Sequence, residues 1–265
     1  MYIDRNQLSI IMQKTTIFLY GVISYFLFFI AFLYSVGFVG NLIVPKNIDS
    51  GSETGLLEAI VVNLLLLSLF AIQHSVMARP AFKKWWTTII NPAAERSTFV
   101  LLTSLILLLI FWQWRPMTGI VWEAQNETLA LAIQSIFWLG WLIVFLSTFM
   151  INHFHLFGLD QVFNNFRNKP PTGLKFKESF FYKFVRHPIM TGFIIAFWAT
   201  PVMTAGHLLF AAVTTLYILI AVKHFEEKDL VNEIGEAYVS YQKRVPMLFP
   251  FTKFGKSKKP LPEEE

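Results

Sequence analysis

The sequence has no cysteine. That excludes disulfides, zinc–thiolate centres, iron–sulfur clusters and a cysteine nucleophile. Charge is also scarce: Asp, Glu, Lys and Arg make up 15% of the 265 residues, against roughly 25% in soluble domains. There is no Gly-rich dinucleotide loop, no nucleophile elbow, and no polar run long enough to build a second core. Apolar side chains, by contrast, are abundant. The chain is 55% hydrophobic and 17% aromatic, with 28 Phe and a mean hydropathy of +0.52. A soluble protein of this length could not hide so much apolar surface. Several stretches reach the roughly 20 residues that cross a bilayer.

These features predict an all-α, polytopic membrane bundle of five to six transmembrane helices, forming one domain over 1–251. The expected helices are Thr15–Val39, Gly55–Met77, Ser97–Trp114, Thr128–Ile151, Pro188–Thr200 and Ala205–Glu227. The first apolar stretch lacks a small-residue cleavage site and is read as a helix rather than a signal peptide. Pro201 and Gly206 break the chain between the last two helices, which therefore form a helical hairpin. The fifth helix is short for a full crossing. The segment 163–187 reads as a loop with a short interfacial helix, and 252–265 as a mobile charged tail.

Six crossings place 20 of the 22 Lys and Arg on one side, leaving only Lys46 and Arg115 on the other. The positive-inside rule then puts both termini in the cytoplasm, which makes this an inner-membrane protein. Topology and anionic lipid account for the net charge of +5, so nucleic acid is not needed as a partner.

Titratable groups collect at that same cytoplasmic level: His74, His153, His155, His187 and His224, with Arg79, Glu95, Arg96, Asn152, Glu226 and Glu227. Polar residues gather wherever helices leave a membrane, but interfacial decoration alone would favour Lys over His, Asn and paired Glu. No metal is expected. His153 and His155 are two apart and point to different sides of a helix, and no carboxylate follows at i+3 or i+4. The ends of the last hairpin carry the densest set. His187 precedes Pro188 at a helix start, where free N–H groups favour an anion. Arg186 adds a bidentate carboxylate partner. Glu227 has Lys223 at i−4 and His224 at i−3 as local partners. Carboxylate, aromatic faces and a basic helix start together suit a zwitterion that also bears a cation, such as a sulfonium.

Arg186-His187-Pro188, Gly192, Glu226-Glu227 with Leu230, Gly235, Tyr238, Tyr241 and Pro246 resemble the C-terminal signature of the isoprenylcysteine carboxyl methyltransferase superfamily, over roughly 180–250. The segments His74–Pro80, Glu95–Thr98, Trp112–Pro116 and Asn152–Gln161 resemble its methanethiol S-methyltransferase branch nearly end to end. Met190 departs from the pattern, standing where the wider family often has Tyr. The resemblance implies an integral-membrane enzyme that uses S-adenosylmethionine, with Tyr182, Val185, Arg186, His187, Pro188, Gly192, Glu226, Glu227, Tyr238 and Tyr241 around the cofactor. The implied reaction is in-line attack of a small thiolate on the sulfonium methyl, taking methanethiol to dimethyl sulfide, with hydrogen sulfide as a further acceptor. Topology nominates His153, His155, Asn152, Arg96 and Arg79 to hold the thiolate, and Glu226 to orient the cofactor or accept the proton. Leu156, Phe154 and Phe157 are expected to form a water-excluding pocket. Two other functions fit the layout: methylation of a prenylcysteine carboxylate or a lipid, and a non-catalytic membrane role.

Overall fold

The computed structural model describes residues 5–170, 173, 176–250 and 252. Apart from Thr252, the charged tail expected at 252–265 lies outside them, as does Lys175.

The long helices are α1 (Arg5–Gly40), α2 (Leu56–Ala78), α4 (Glu95–Gln113, entered through a 3-10 turn at Pro92–Ala94) and α5 (Glu127–Ile151). With the C-terminal helical run Ala205–Ile234, they give five elements long and apolar enough to cross a membrane. Their large side chains face outward to an extent no soluble protein tolerates: Leu57, Leu65, Leu131 and Trp112 are all exposed. The shorter α8 (Pro188–Trp198) is apolar but only 11 residues long.

Local chemistry sets most of the boundaries. Arg79 precedes Pro80 and is extended, so α2 stops there and a short helix α3 (Pro80–Trp86) restarts with proline in its first turn. The Asn126 side chain caps α5 by accepting from the Leu129 amide, and Thr204 caps α9 (Ala205–Ala221) by accepting from the His207 amide. Gly158, at φ 89°, turns the chain from α6 (His153–Leu156) into α7 (Leu159–Phe166). A side chain there would strike Ser97 at 2.8–2.9 Å.

The structure corrects several expectations. Helix α1 begins at Arg5, about three turns before Thr15. The region after α5 also holds α6 and α7, which the sequence reading did not expect, and the short helix expected within 163–187 is a 3-10 turn at Phe180–Lys183. The last crossing does not run as a single α-helix to Glu227: α9 passes into a π-turn at Val222–Glu226, then α10 (Glu227–Ile234) and α11 (Glu236–Arg244). The shortness of α8 also has an explanation. Beyond Trp198 the chain extends into β2 (Val202–Thr204), which pairs antiparallel with β1 (Ile120–Glu123) between α4 and α5. Helix plus extended segment therefore reach the end of the bundle where α9 starts. Non-helical backbone at that depth is tolerated because neighbouring protein covers it; Thr200, Met203 and Thr204 are buried.

The core lies toward the β1–β2 end, where Phe38, Ile110, Phe111, Trp114, Phe137, Trp141, Phe197 and Phe210 interlock. The polar groups lie at the opposite end. There the start of α8 meets the end of the α9 run, α2 and α5 end, and α4 begins.

Candidate active site

The π-turn adds a residue to the helical turn that leads into Glu226 and Glu227, and such turns recur at functional sites. Glu227 lies buried at the start of α10 and is saturated with donors. Arg186 grips it bidentately, Nε to Oε1 at 2.9 Å and Nη2 to Oε2 at 2.8 Å. His187 Nε2 is 2.6 Å from Oε1, and the Tyr238 hydroxyl donates to the same oxygen at 2.9 Å. Gln242 donates to Oε2. Arg186 Nη1 turns the other way, donating to the carbonyls of Gln242 and Val245. The backbone amides of Arg186 and His187 donate to Pro246 and Met247. One buried ion pair thus ties the start of α8 to α10, α11 and the strand-like segment after them. The ion partners of Glu227 come from 40 and 41 residues upstream, not from Lys223 and His224, whose side chains are exposed on the π-turn.

Glu226 is different. Its side chain is 43% exposed, and its one ion pair among the described residues is with His187 Nδ1 at 3.4 Å. His187 therefore bridges two carboxylates. Burial alone would lower the pKa of this imidazole, but the charges and hydrogen bonds of Glu226 and Glu227 outweigh it and hold the pKa up at about 9. The stability from this charged bridge is complete below the ordinary histidine value of about 6.5 and is lost as pH rises through about 9. Thermal unfolding of the detergent-solubilised protein is expected to show Tm declining across that interval, and the decline should vanish in His187→Gln. An identical decline in the variant would remove His187 as its source. Burial and then Glu227 raise the Tyr238 phenol, which stays a neutral donor.

Beside this interlock opens a cleft of about 640 Å³, lined by Arg186, Lys223, Glu227, Lys228, Asn232 and Gln242 among others. That lies within the ~300–1,000 Å³ range of small-molecule sites. The groups in and beside the cleft fit a zwitterionic nucleoside sulfonium: the adjacent Glu226 for a cationic centre, two exposed lysines for a carboxylate, and the Asn232 amide for polar edges.

The remaining candidates divide. Tyr182 sits against the C-terminal helices, its carbonyl accepting from the Tyr241 hydroxyl and its own hydroxyl reaching the Ser147 carbonyl at 3.5 Å. Val185 is buried in the turn before Arg186, and Pro188 opens α8. Gly192 does not face the cleft; it packs against Gly140 and Val144 of α5. Arg79 pairs with Asp229 of α10 at 3.0 Å and lies over the Phe225 ring. Arg96 donates to the Leu156 carbonyl at 2.6 Å, tying α4 to α6. Asn152 caps α6 and donates to Asp160, which lies 3.8 Å from His155 Nδ1.

His153 is engaged on both nitrogens, by the Tyr25 hydroxyl at 2.7 Å and the Thr148 hydroxyl at 2.8 Å, and stacks on Phe149. Burial lowers the pKa of both His153 and His155. The His153 ring is a packed joint between α1 and α5 and makes no contact with the Glu226–Glu227 group. Phe154, expected in a dry pocket, is half exposed. Sequence reasoning missed Gln242, for which the sequence carries no local signal. It grouped His74 with the cytoplasmic-level polar set but gave it no role. The ring of His74 stacks on Phe70, meets Phe99, and lies within electrostatic reach of both Arg96 and Glu226.

Residues 62–245 match the NnrU protein family model. The chain is 59% identical over 237 residues to methanethiol S-methyltransferase 2 of Bradyrhizobium diazoefficiens, covering 89% of this chain and 91% of that one. It is 51% identical to the methanethiol S-methyltransferase of Mycobacterium tuberculosis, covering 91% of this chain and 98% of that one. It is 29% identical to mouse Nurim, covering 67% and 70%. No solved structure matches the chain.

Proposed function

The chain belongs to the NnrU protein family, within its methanethiol S-methyltransferase branch, and on that premise we propose that it transfers a methyl group from S-adenosylmethionine to methanethiol, yielding dimethyl sulfide. We place the reaction at the basic, cytoplasmic end of the bundle in the inner membrane. The support for that side is the concentration of 20 of the 22 Lys and Arg there.

The observation that carries the reading is the unequal state of the two glutamates. Glu227 is fully occupied in holding Arg186 and His187, whereas Glu226 keeps exposed carboxylate at the same level. Glu227 is therefore the keystone, and Glu226 is the anion free to face a ligand's cation. S-adenosylmethionine, when bound, supplies a methyl group activated by its sulfonium. Glu226 would hold the cationic part, with Lys223, Lys228 and Asn232 meeting the carboxylate and polar edges. Val231 and Met247 give the cleft its apolar lining. The chain needs no nucleophile of its own, since the acceptor sulfur attacks directly. That agrees with the absence of cysteine.

Purified protein given methyl-labelled S-adenosylmethionine and methanethiol is expected to release labelled dimethyl sulfide. Hydrogen sulfide is expected to give labelled methanethiol first. Prenylcysteine should stay unlabelled. A chain that does not bind S-adenosylmethionine by calorimetry would instead be a non-catalytic member of the family.

A further inference from the structure

A second, much smaller cavity lies between α2 and α9, and it shares no lining residue with the cleft. Its volume is about 70 Å³ and its walls include Leu67, Ser68, Phe70, Ala71, Val213 and Tyr217. One water needs only ~10–15 Å³ by this kind of measure. The space thus admits a molecule of two heavy atoms and excludes a prenyl chain. No charged side chain lines it. On α2 the neighbouring Leu65, Leu69 and Ile72 are exposed, so this stretch of the helix meets the bilayer.

Two of the walls connect the cavity to the reaction centre. Phe70 stacks on His74 one turn further along α2, with ring centroids 5.2 Å apart. Tyr217 shares a hydrogen bond with Ser75 at 3.0 Å. His74 Nδ1 is buried and has no hydrogen-bond partner among the described residues. Leaving a buried ring nitrogen unpaired is unfavourable, and a site that receives a proton accounts for one. The ring lies within electrostatic reach of Glu226 on one side and Arg96 on the other.

We infer that this cavity is the binding site for the neutral thiol, and that His74, stacked on its Phe70 wall, takes the thiol proton. The inference rests on the methyl-transfer reading above. It moves the acceptor from the His153 neighbourhood to the α2–α9 seam. A neutral one-carbon thiol dissolves in lipid and needs an apolar berth, not a charged one. The S–H proton passes to His74 Nδ1, and the sulfur lone pair forms the new bond to the methyl carbon. The sulfonium C–S bond breaks as that bond forms, its electron pair staying on the cofactor sulfur. The proton then leaves His74⁺ by way of the exposed Glu226 carboxylate.

Because the chain has no cysteine, Ser68→Cys introduces a unique thiol at the exposed edge of the cavity, which iodoacetamide caps irreversibly. The capped protein should lose about 100-fold in methanethiol turnover, the scale of a displaced reactant, with calorimetric affinity for S-adenosylmethionine unchanged. Ile72→Cys, capped in the same way on the exposed face of α2, should keep full turnover. His74→Gln should lose at least about 100-fold with methanethiol, as expected for a missing base. It should retain cofactor affinity and recover with methaneselenol, whose neutral form fits the same apolar berth and gives up its proton far more readily than a thiol. Full turnover by capped Ser68→Cys, or equal losses of His74→Gln on both acceptors, would overturn the inference and leave the parent reading standing. An uncapped, unsubstituted protein that makes no dimethyl sulfide would take both down.

Discussion

Arg186→Ala is expected to abolish measurable binding of S-adenosylmethionine and to loosen the whole segment from Glu227 to Leu248. The guanidinium and the Glu227 carboxylate are both nearly inaccessible, with side-chain exposures of 7% and 9%. Removing one partner of a buried pair strands the other, at about 3–5 kcal/mol. The loss would not stay local, because Arg186 Nη1 also holds the carbonyls of Gln242 and Val245. Hydrogen exchange should show α10 and α11 losing protection while α1, α4 and α5 keep theirs. Arg186→Lys should recover little, since an ammonium cannot reproduce the fork that meets both carboxylate oxygens. Wild-type protection in Arg186→Ala would mean that the ion pair is incidental.

A paired substitution separates folding from function. Arg186→Met with Glu227→Leu removes both charges, and such exchanges are often neutral or stabilising. Folding should largely return. Cofactor binding should not, because His187 would lose the Oε1 contact that, together with Glu226, fixes its ring. Recovered binding would show that the ion pair does nothing for the cleft beyond supporting it.

Much of this arrangement was legible in the sequence, for reasons that can be named. Apolar runs as long as Leu56–Ala78 and Glu127–Ile151 have one solution in a bilayer. Pro201 and Gly206 marked the break that lets α8 and α9 fold back, which is why the two ends of the hairpin, with Arg186 and Glu226, could be expected to meet. What escaped was tertiary choice. Lys223 was the local partner for Glu227, but the π-turn intervenes, and the acid turns inward to a partner it can reach only after the hairpin closes. His153 was grouped with the site by depth alone. Depth carries no information on azimuth, and Tyr25 on α1 takes the ring instead. The β1–β2 ribbon left no signal either, since three or four residues are too few to show a period. Gln242, one of four side chains on Glu227, is unremarkable in an exposed-looking stretch.

Gly192→Leu is expected to be the most disruptive single change outside the ion pair, and it tests a role that resemblance assigned to the cofactor. A Cβ on Gly192 would lie 2.7 Å from the Gly140 carbonyl oxygen and 2.9 Å from the Val144 amide nitrogen. A Cβ on Gly140 would lie 2.7 Å from the Ala196 amide nitrogen. These are backbone atoms and cannot swing aside. Gly192 and Ala196 are four apart on α8, and Gly140 and Val144 four apart on α5. This is a small-residue seam that lets two membrane helices touch backbone to backbone. Overpacking a tight contact costs about 1–3 kcal/mol and more when backbone must move. Gly192→Ala should therefore lower Tm, and Gly192→Leu should prevent α8 from seating. Because α8 carries His187 at its head, cofactor affinity should fall in step with Tm across the series. Gly119→Leu, where an added Cβ meets nothing within 4 Å, should change neither. A Gly192→Leu protein with normal Tm and no affinity would show that this glycine faces the ligand, and the seam would lose its structural role.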